Sequence, residues 1–415
     1  MPLRTSFLRR VRDESLCRNC GVCESLIGCP SPEVCIGCQA CYRGCPYQAI
    51  KMVEDRSRRK KITVRIDGEP FEVPERITVK KALELAGVTF GVFPGDGNIF
   101  APCGVGGCFS CSVLAGGAPV RSCVTEAREG MDIQTKLPED FTPLRIVHGP
   151  EPHAVGGKAT PWWLKSKGAY IEVAVWTAGC NLSCPQCQNY SVTYDGRSPP
   201  LTPEEAARLV TLARRRHGVD RMAISGGEPT LNRPWLIRYF KALKRLNPDE
   251  QAHLHLDSNG TILTKDYIDE LIEEASLTDI GIEPKGVSVE TFMRISGVSD
   301  RSLAERYLGT AWDAVKHVID NYRDRVFLGV GLPYNKALIS QDEVARFGDK
   351  LASMDPTVQL CVLDYFPTFR RMDLRRPSSK EMFKVKGLLE GVGLKAVVVQ
   401  TSIGHFGPRP KQRRR

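Results

Sequence analysis

Fifteen of the sixteen cysteines fall into three blocks whose internal spacing is that of metal ligands. Residues 17–46 read Cys17-x2-Cys20-x2-Cys23-x5-Cys29-Pro30, then Cys35-x2-Cys38-x2-Cys41-x3-Cys45-Pro46. The second block is Cys103-x4-Cys108-x2-Cys111-x11-Cys123, and the third is Cys180-x3-Cys184-x2-Cys187. Tight clusters of this kind, in a 415-residue chain whose first residues lack the apolar core of an export signal, point to metal ligation rather than to disulfides. The third block is chemically distinct. Three thiolates leave one iron of a cubane without a protein ligand, free to bind a small chelating molecule, whereas a structural zinc ion wants a fourth residue. His217 or Cys361 could supply that fourth ligand, so zinc stays open as the alternative there, as it does for the other two blocks. Cys361, in an expected core strand, is most simply a buried small apolar residue.

The elements that position these blocks change character along the chain. Residues 1–55 hold eight cysteines and little continuous apolar pattern. The charged run from Glu54 to Lys61 reads as a solvated linker. Residues 62–66 and 71–73, joined by Asp67-Gly68, read as a hairpin, followed by a helix over Val79–Ala86 and a glycine-rich loop that carries cysteines. A second linker, rich in Pro, Gly and His, spans 137–168. From Tyr170 onward strands and helices alternate. Strands are expected at 170–176, 221–225, 252–257, 278–283, 326–331, 358–363 and 394–399, and helices at 203–217, 234–246, 342–354 and 379–389. Such alternation implies a parallel sheet with its reactive residues at the C-terminal strand ends, and Cys180 follows the first of those strands.

With Ser225-Gly226-Gly227-Glu228-Pro229-Thr230 at the end of the second strand, the Cys180–Cys187 loop resembles the radical S-adenosylmethionine (SAM) superfamily. The resemblance covers about residues 170–400. It implies that the open iron of a [4Fe-4S] cluster on Cys180, Cys184 and Cys187 is chelated by SAM, and that Gly226, Gly227, Glu228 and Pro229 receive the SAM amino group. Within the superfamily the chain is similar to the glycyl-radical-enzyme activases. Leu256-Asp257-Ser258-Asn259-Gly260 and Ile282-Glu283-Pro284-Lys285 stand where those enzymes carry SAM and cation contacts, which makes Asp257, Ser258, Glu283 and Lys285 further cofactor candidates. His253, His255 and Asp257 alternate onto one strand face, toward the barrel interior if that face is inward. Two positions depart from the pattern: Gln186 replaces an aromatic residue before the third cysteine, and Asp364-Tyr365-Phe366-Pro367 replaces Pro-Tyr-His.

The first block resembles a bacterial two-cluster ferredoxin, in which the fourth cysteine of each run ligates the other cluster. On this chain that assigns Cys17, Cys20, Cys23 and Cys45 to one [4Fe-4S] cluster, and Cys35, Cys38, Cys41 and Cys29 to a second. The second block resembles the β-grasp [2Fe-2S] subunits of amine and amino-acid dehydrogenases, with Cys103, Cys108, Cys111 and Cys123 as ligands. The fold class expected is α/β: a partial (β/α)6 radical SAM barrel over 169–402, preceded by a two-[4Fe-4S] ferredoxin-like module over 1–55 and a β-grasp domain over 61–136, and followed by a basic tail over 403–415.

The formal net charge of +10 counts thiols as neutral. Three [4Fe-4S] clusters and one [2Fe-2S] cluster would add about −7 and leave the holoprotein mildly basic, which weakens the case for nucleic acid. The expected function is reductive cleavage of SAM to a 5'-deoxyadenosyl radical, fed through the front clusters by an external low-potential electron donor. The substrate would be a glycyl radical enzyme or a small molecule. Two rivals are an electron-transfer subunit of a dehydrogenase with an inert barrel, and an RNA- or peptide-modifying enzyme. A cytoplasmic location is expected and a membrane partner is not, because no stretch approaches the roughly 18 apolar residues of a span.

Overall fold

The computed structural model describes residues 7–29, 34–165 and 169–408. It divides into two compact units: residues 1–148, 177–181 and 189–202 form one, and 149–176, 182–188 and 203–415 form the other.

In the first unit, strand Phe7–Arg12 runs antiparallel to Ile50–Asp55, with Phe7 opposite Asp55, and the eight cysteines lie between these strands in sequence. Two single-turn helices, Val22–Ser25 and Ala40–Gly44, each start after a left-handed residue, Gly21 and Gln39. The charged run departs from the expected solvated linker. Asp55 belongs to a strand and pairs with Arg59 at 2.7 Å, both side chains almost fully buried, and the Arg59 guanidinium covers the Phe7 ring. The hairpin forms as Lys61–Ile66 with Glu69–Pro74 about Asp67-Gly68, both at positive φ, as a two-residue hairpin turn requires. These strands join Asp132–Gln134, Ser112–Ala115 and Ala118–Arg121 in a five-stranded mixed sheet of β-grasp type. Helix Val79–Leu85, capped by the Thr78 hydroxyl, packs on this sheet through Val79, Ala82 and Leu83 against Val64, Ile66, Val73 and Ile133. Each of these larger aliphatic side chains gains about 1.5–3 kcal/mol from burial.

The second unit is the barrel. In chain order it runs β1 (Glu172–Thr177), α1 (Pro203–His217), β2 (Arg221–Gly226), α2 (Arg233–Leu246), β3 (His253–Ser258), α3 (Lys265–Asp269), β4 (Asp279–Ile282), α4 (Val289–Ser296), α5 (Arg301–Tyr322), β5 (Phe327–Tyr334), α6 (Gln341–Met354), β6 (Gln359–Asp364), α7 (Ser379–Gly391) and β7 (Ala396–Thr401). β2 to β7 are parallel and adjacent in chain order. This is a partial (β/α)6 barrel closed off by a seventh strand. Segment 137–168, expected as a linker, contains strand Arg145–His153. Its first residues pair with Pro200–Leu201, and it continues beside β1, where the Ile171 amide donates to the His153 carbonyl at 2.9 Å. The segment expected as a tail begins with strand Gly404–Phe406, antiparallel to β7, while its basic residues from Arg409 lie outside the described residues.

The barrel interior is shared with a second piece of the former linker. Residues 156–160, hereafter the strap, lie along the inner faces of β3 to β6. The Lys158 carbonyl accepts from Gln359 Nε2 at 2.9 Å, and a Cβ on Gly329 would fall 2.1 Å from that oxygen. Cβ atoms on Gly281 and Gly331 would likewise meet the Lys158 side chain. Gly281 and Gly329 are directly paired across β4 and β5, so the absence of side chains in register opens the groove that the strap fills.

Candidate functional site

In the first unit Cys103, Cys108, Cys111 and Cys123 are all buried, at no more than 6% exposure. Their thiols converge: Cys108 Sγ lies 3.1 Å from Cys103 Sγ, and Cys123 hydrogen-bonds both Cys103 and Cys111. Gly104 and Gly106 turn at positive φ, and the Val105 amide donates to Cys103 Sγ at 3.5 Å. Bonds from Cys108 and Cys123 hold the Cys103 thiol well below its ordinary value despite burial. Four converging thiols, with Cys103 and Cys111 both held below their ordinary value, suit a thiolate-ligated cluster.

In the N-terminal block Cys29, Cys35, Cys38 and Cys41 act on one another, as do Cys20, Cys23 and Cys45. Cys41 hydrogen-bonds Cys29, which pushes its thiol up, and Cys38, raised chiefly by burial, also feels Cys29 and Cys35. Burial raises Cys23, with Cys45 and Cys20 adding to the effect. Arg12, raised first by its bond to Glu14, feels both Cys17 and Cys23. Backbone amides aim at the sulfurs, Arg10 N to Cys35 at 3.4 Å and Ala49 N to Cys45 at 3.3 Å.

The third cysteine block is divided between the units, with Cys180 in the first and Cys184 and Cys187 in the second. In the second unit α4 holds residues 183–186. The Ser183 amide donates to the Ser296 carbonyl at 2.8 Å, and buried Gln186 donates from Nε2 to the Ile295 carbonyl at 2.7 Å. The α4 C-cap, Gly297, must lack a side chain because a Cβ there would sit 2.3 Å from the Ser183 carbonyl oxygen. Gln186 thus serves as an anchor at the position where the family carries an aromatic residue.

Burial pushes the Cys184 thiol up to about 11, against the pull of Lys285. Lys285, in the left-handed region, forms a buried ion pair with Glu283, and the Tyr365 hydroxyl donates to Glu283 at 3.3 Å. Burial alone would raise the Glu283 carboxyl, but Lys285 and Lys158 hold it below its ordinary value. Glu283 and Lys285, candidates for SAM or a cation by resemblance, lie near enough to Cys184 to act on its thiol, and Tyr365 joins them.

Glu228 follows β2, at the start of the turn Pro229–Leu231. It is fully buried, and its oxygens accept from Thr230 N and Oγ1, Ser258 Oγ (2.8 Å) and Asn259 N (2.7 Å). Three of these donors meet Oε1 and one meets Oε2, so the carboxylate ties the end of β2 to the end of β3. Ser258 is part of that tie, also accepting from Gly260 N, and Pro229 is buried as the first residue of the turn that follows. Gly226, at the end of β2, has a φ of 123°, a conformation that favours glycine.

Asp257 lies on β3. Its Oδ1 accepts from Lys158 N at 3.1 Å, lies 3.6 Å from Lys158 Nζ and is 3.2 Å from His255 Nε2. His255, wholly buried, lies 3.5 Å from Glu172, which also binds His153 and Thr160. Burial would depress the His255 pKa, but Asp257 and Glu172 push it up to about 9. Of the other alternating residues, His253 pairs with Asp279, which also holds Arg221 at 2.9 Å. Sequence reading missed Lys158, Glu172 and the strap. The available signal was the Gly156-Gly157-Lys158 triplet inside a segment dismissed as linker. Cys361 is buried as expected and donates to the Lys158 carbonyl at 3.4 Å. Beside the strap is a cavity of about 160 Å³, with Trp176, Ser225, Asp257, Lys158 and Gln400 among its lining residues.

Comparison with known families matches residues 30–51 to a 4Fe-4S binding domain, 59–138 to a 2Fe-2S iron-sulfur cluster binding domain and 175–337 to the radical SAM superfamily. The probable GTP 3',8-cyclase of Saccharolobus solfataricus is 29% identical over 154 residues, 37% of this chain and 42% of that protein. The GTP 3',8-cyclase of Bradyrhizobium diazoefficiens is 32% identical over 123 residues, 30% of this chain and 33% of that protein. The chain thus spans less than half the length of these two relatives. The FeFe-hydrogenase maturase HydG from Carboxydothermus hydrogenoformans aligns with a TM-score of 0.41 at 16% identity, covering 53% of this chain and 50% of that one. Among the described residues no helix is long and apolar enough to cross a membrane. Residues 175–337 thus match the radical SAM superfamily, and matches to 4Fe-4S and 2Fe-2S binding domains lie ahead of them in the chain.

Proposed function

We propose that the chain reductively cleaves SAM at a cluster held by Cys180, Cys184 and Cys187 and uses the resulting radical to abstract hydrogen from a substrate. When bound, that cluster supplies one electron to the sulfonium, which yields methionine and a 5'-deoxyadenosyl radical. The observation that carries the reading is the buried Glu283–Lys285–Tyr365 group beside Cys184, a fixed set of charges at the cysteine loop of a chain that matches this superfamily. Gly226 and Gly227 offer backbone for close approach of the SAM amino group, and Glu228 holds that backbone in place. Two [4Fe-4S] clusters on Cys17, Cys20, Cys23 and Cys45 and on Cys29, Cys35, Cys38 and Cys41, with a [2Fe-2S] cluster on Cys103, Cys108, Cys111 and Cys123, relay electrons from an external low-potential donor.

The test is anaerobic incubation of the reconstituted chain with SAM and dithionite. 5'-Deoxyadenosine is expected, and its absence from cluster-loaded protein overturns the proposal in favour of an electron-transfer subunit. For the hydrogen donor, a small molecule seated by the strap-side cavity is the first class to assay. The activase-like reading is favoured by one observation, the placement of Glu283 and Lys285 beside Cys184. It is tested by looking for a glycyl radical by EPR on a partner protein.

A further inference from the structure

The residue before Cys180 touches the [2Fe-2S] ligands. Gly179, at a φ of 83°, lies so close to the second cysteine block that a Cβ there would be 2.9 Å from both the Cβ and the amide of Cys108, and 3.2 Å from the Cys103 Cβ. The approach is built in from both sides. A Cβ on Gly107 would fall 2.6 Å from Ala178 Cβ and 2.7 Å from the Asp195 carbonyl oxygen. The Ile146 backbone bridges the two loops, donating to the Gly107 carbonyl at 3.3 Å and accepting from Ala178 N at 3.0 Å. Arg121 Nη1 donates to the Gly196 carbonyl at 2.7 Å, and His148 Nε2 bonds Asp195 at 2.8 Å. All of these residues belong to the first unit.

On its other side the second block adjoins the first. Val124, next to Cys123, shares a small cavity with Cys29, Cys35, Cys38 and Cys41, and a Cβ on Gly104 would be 3.0 Å from Arg43 Nε, two residues beyond Cys41. In the first block Cys20 is exposed, Cys17, Cys23, Cys29, Cys35 and Cys38 are intermediate and Cys41 and Cys45 are buried, whereas all four cysteines of the second block are buried.

We infer that the [2Fe-2S] centre is the immediate electron donor to the Cys180 cluster, through the contact of Cys108 with Gly179, and that the Cys29–Cys41 centre supplies it through Val124 and Cys123. The inference rests on the proposed function, whose relay it orders. Electron transfer weakens steeply with separation, so two close approaches, each dependent on a missing side chain, mark the path. The step balances as a one-electron exchange: the reduced [2Fe-2S] centre is oxidised, the oxidised [4Fe-4S] centre on Cys180 is reduced, and no bond or proton moves. The electron originates in a low-potential one-electron donor protein, or dithionite in the assay, and enters at the exposed end.

The test compares the full chain, anaerobically reconstituted and dithionite-reduced, with its C180A/C184A/C187A variant. The readout is the spin–lattice relaxation of the [2Fe-2S] EPR signal, whose presence also certifies that the first unit has folded. Relaxation several-fold faster in the wild type is expected from a neighbouring paramagnet, and equal relaxation overturns the inference. A second measurement needs no variant. When SAM is mixed with prereduced wild type and freeze-quenched, the [2Fe-2S] signal should be lost before those of the front [4Fe-4S] centres, and the reverse order overturns the route. Failure of the proposed function reads differently: no 5'-deoxyadenosine forms, while the relaxation comparison, made without SAM, keeps its contrast.

Discussion

The barrel holds two buried charge groups that share Lys158 as a neighbour and behave differently. Around the strap, Glu172, His255, Asp257 and Lys158 satisfy one another in a chain that also engages His153 and Thr160. Beside Cys184, Lys285 and Glu283 form one pair whose field acts on a thiol. Asp257 of the first group and Glu283 of the second sit at or just past the C-terminal ends of β3 and β4, which the sequence pattern marks as reactive. The difference teaches that a buried charge whose partners are all protein groups reports architecture, while one that shifts a prospective ligand reports chemistry.

Substitutions can break this comparison, and the largest effects come from removing one partner of each group. Asp257→Ala and Lys285→Met should each cost about 3–5 kcal/mol of stability in denaturant unfolding, because each strands a buried charge. Only Lys285→Met should lower the 5'-deoxyadenosine yield per cluster-loaded molecule. An equal loss in Asp257→Ala would erase the distinction.

The pH dependence comes next in size. The folded-state pKa of His255 is raised to about 9, above an unfolded value of about 6.5. The native state therefore binds the extra proton between those values, and the stabilisation present below pH 6.5 is lost as pH rises through 9. The linkage is worth roughly 3 kcal/mol and should be absent from His255→Gln in unfolding curves taken from pH 6 to 9.5.

Gly157→Ala should cost about 1–3 kcal/mol, because its Cβ would lie 2.0 Å from Asp257 Oδ2. A melting-temperature drop with unchanged SAM cleavage is the expected pair of readings. Smallest is Tyr365→Phe, which removes the 3.3 Å bond to Glu283 and should cost about 0.5–1.5 kcal/mol. Its sharper readout is a change in the EPR spectrum of the Cys184 cluster, which no strap variant should produce.

Much of this was legible because the signals are local. The cysteine spacings name their loops, and α1 starts at Pro203 and stops before Gly218, a start and stop both written in backbone chemistry. Strand Arg145–His153 was hidden because Pro150 and Pro152 argue against a strand, although they are tolerated near a sheet's edge. α5 carries Gly309 within a charged sequence and was passed over, even though Asp300 caps it. Asp257 and Glu228 were read by residue type and strand position. Neither reveals that a segment about a hundred residues upstream would claim the first, or that Thr230, Ser258 and Asn259 would bind the second. Which partner a buried carboxylate chooses is a tertiary fact, and alternation along a strand says only which way it points.

Residues 177–181 and 189–202 belong with residues 1–148, so the loop bearing Cys180 is housed by the modules ahead of the barrel. Cutting residues 1–148 away would strip Ala178 N of the Ile146 carbonyl and take Cys108 from beside Gly179, which would keep only its bond to the Thr193 carbonyl within its own loop. A chain shortened to the barrel would therefore lose the partners that hold the backbone next to Cys180.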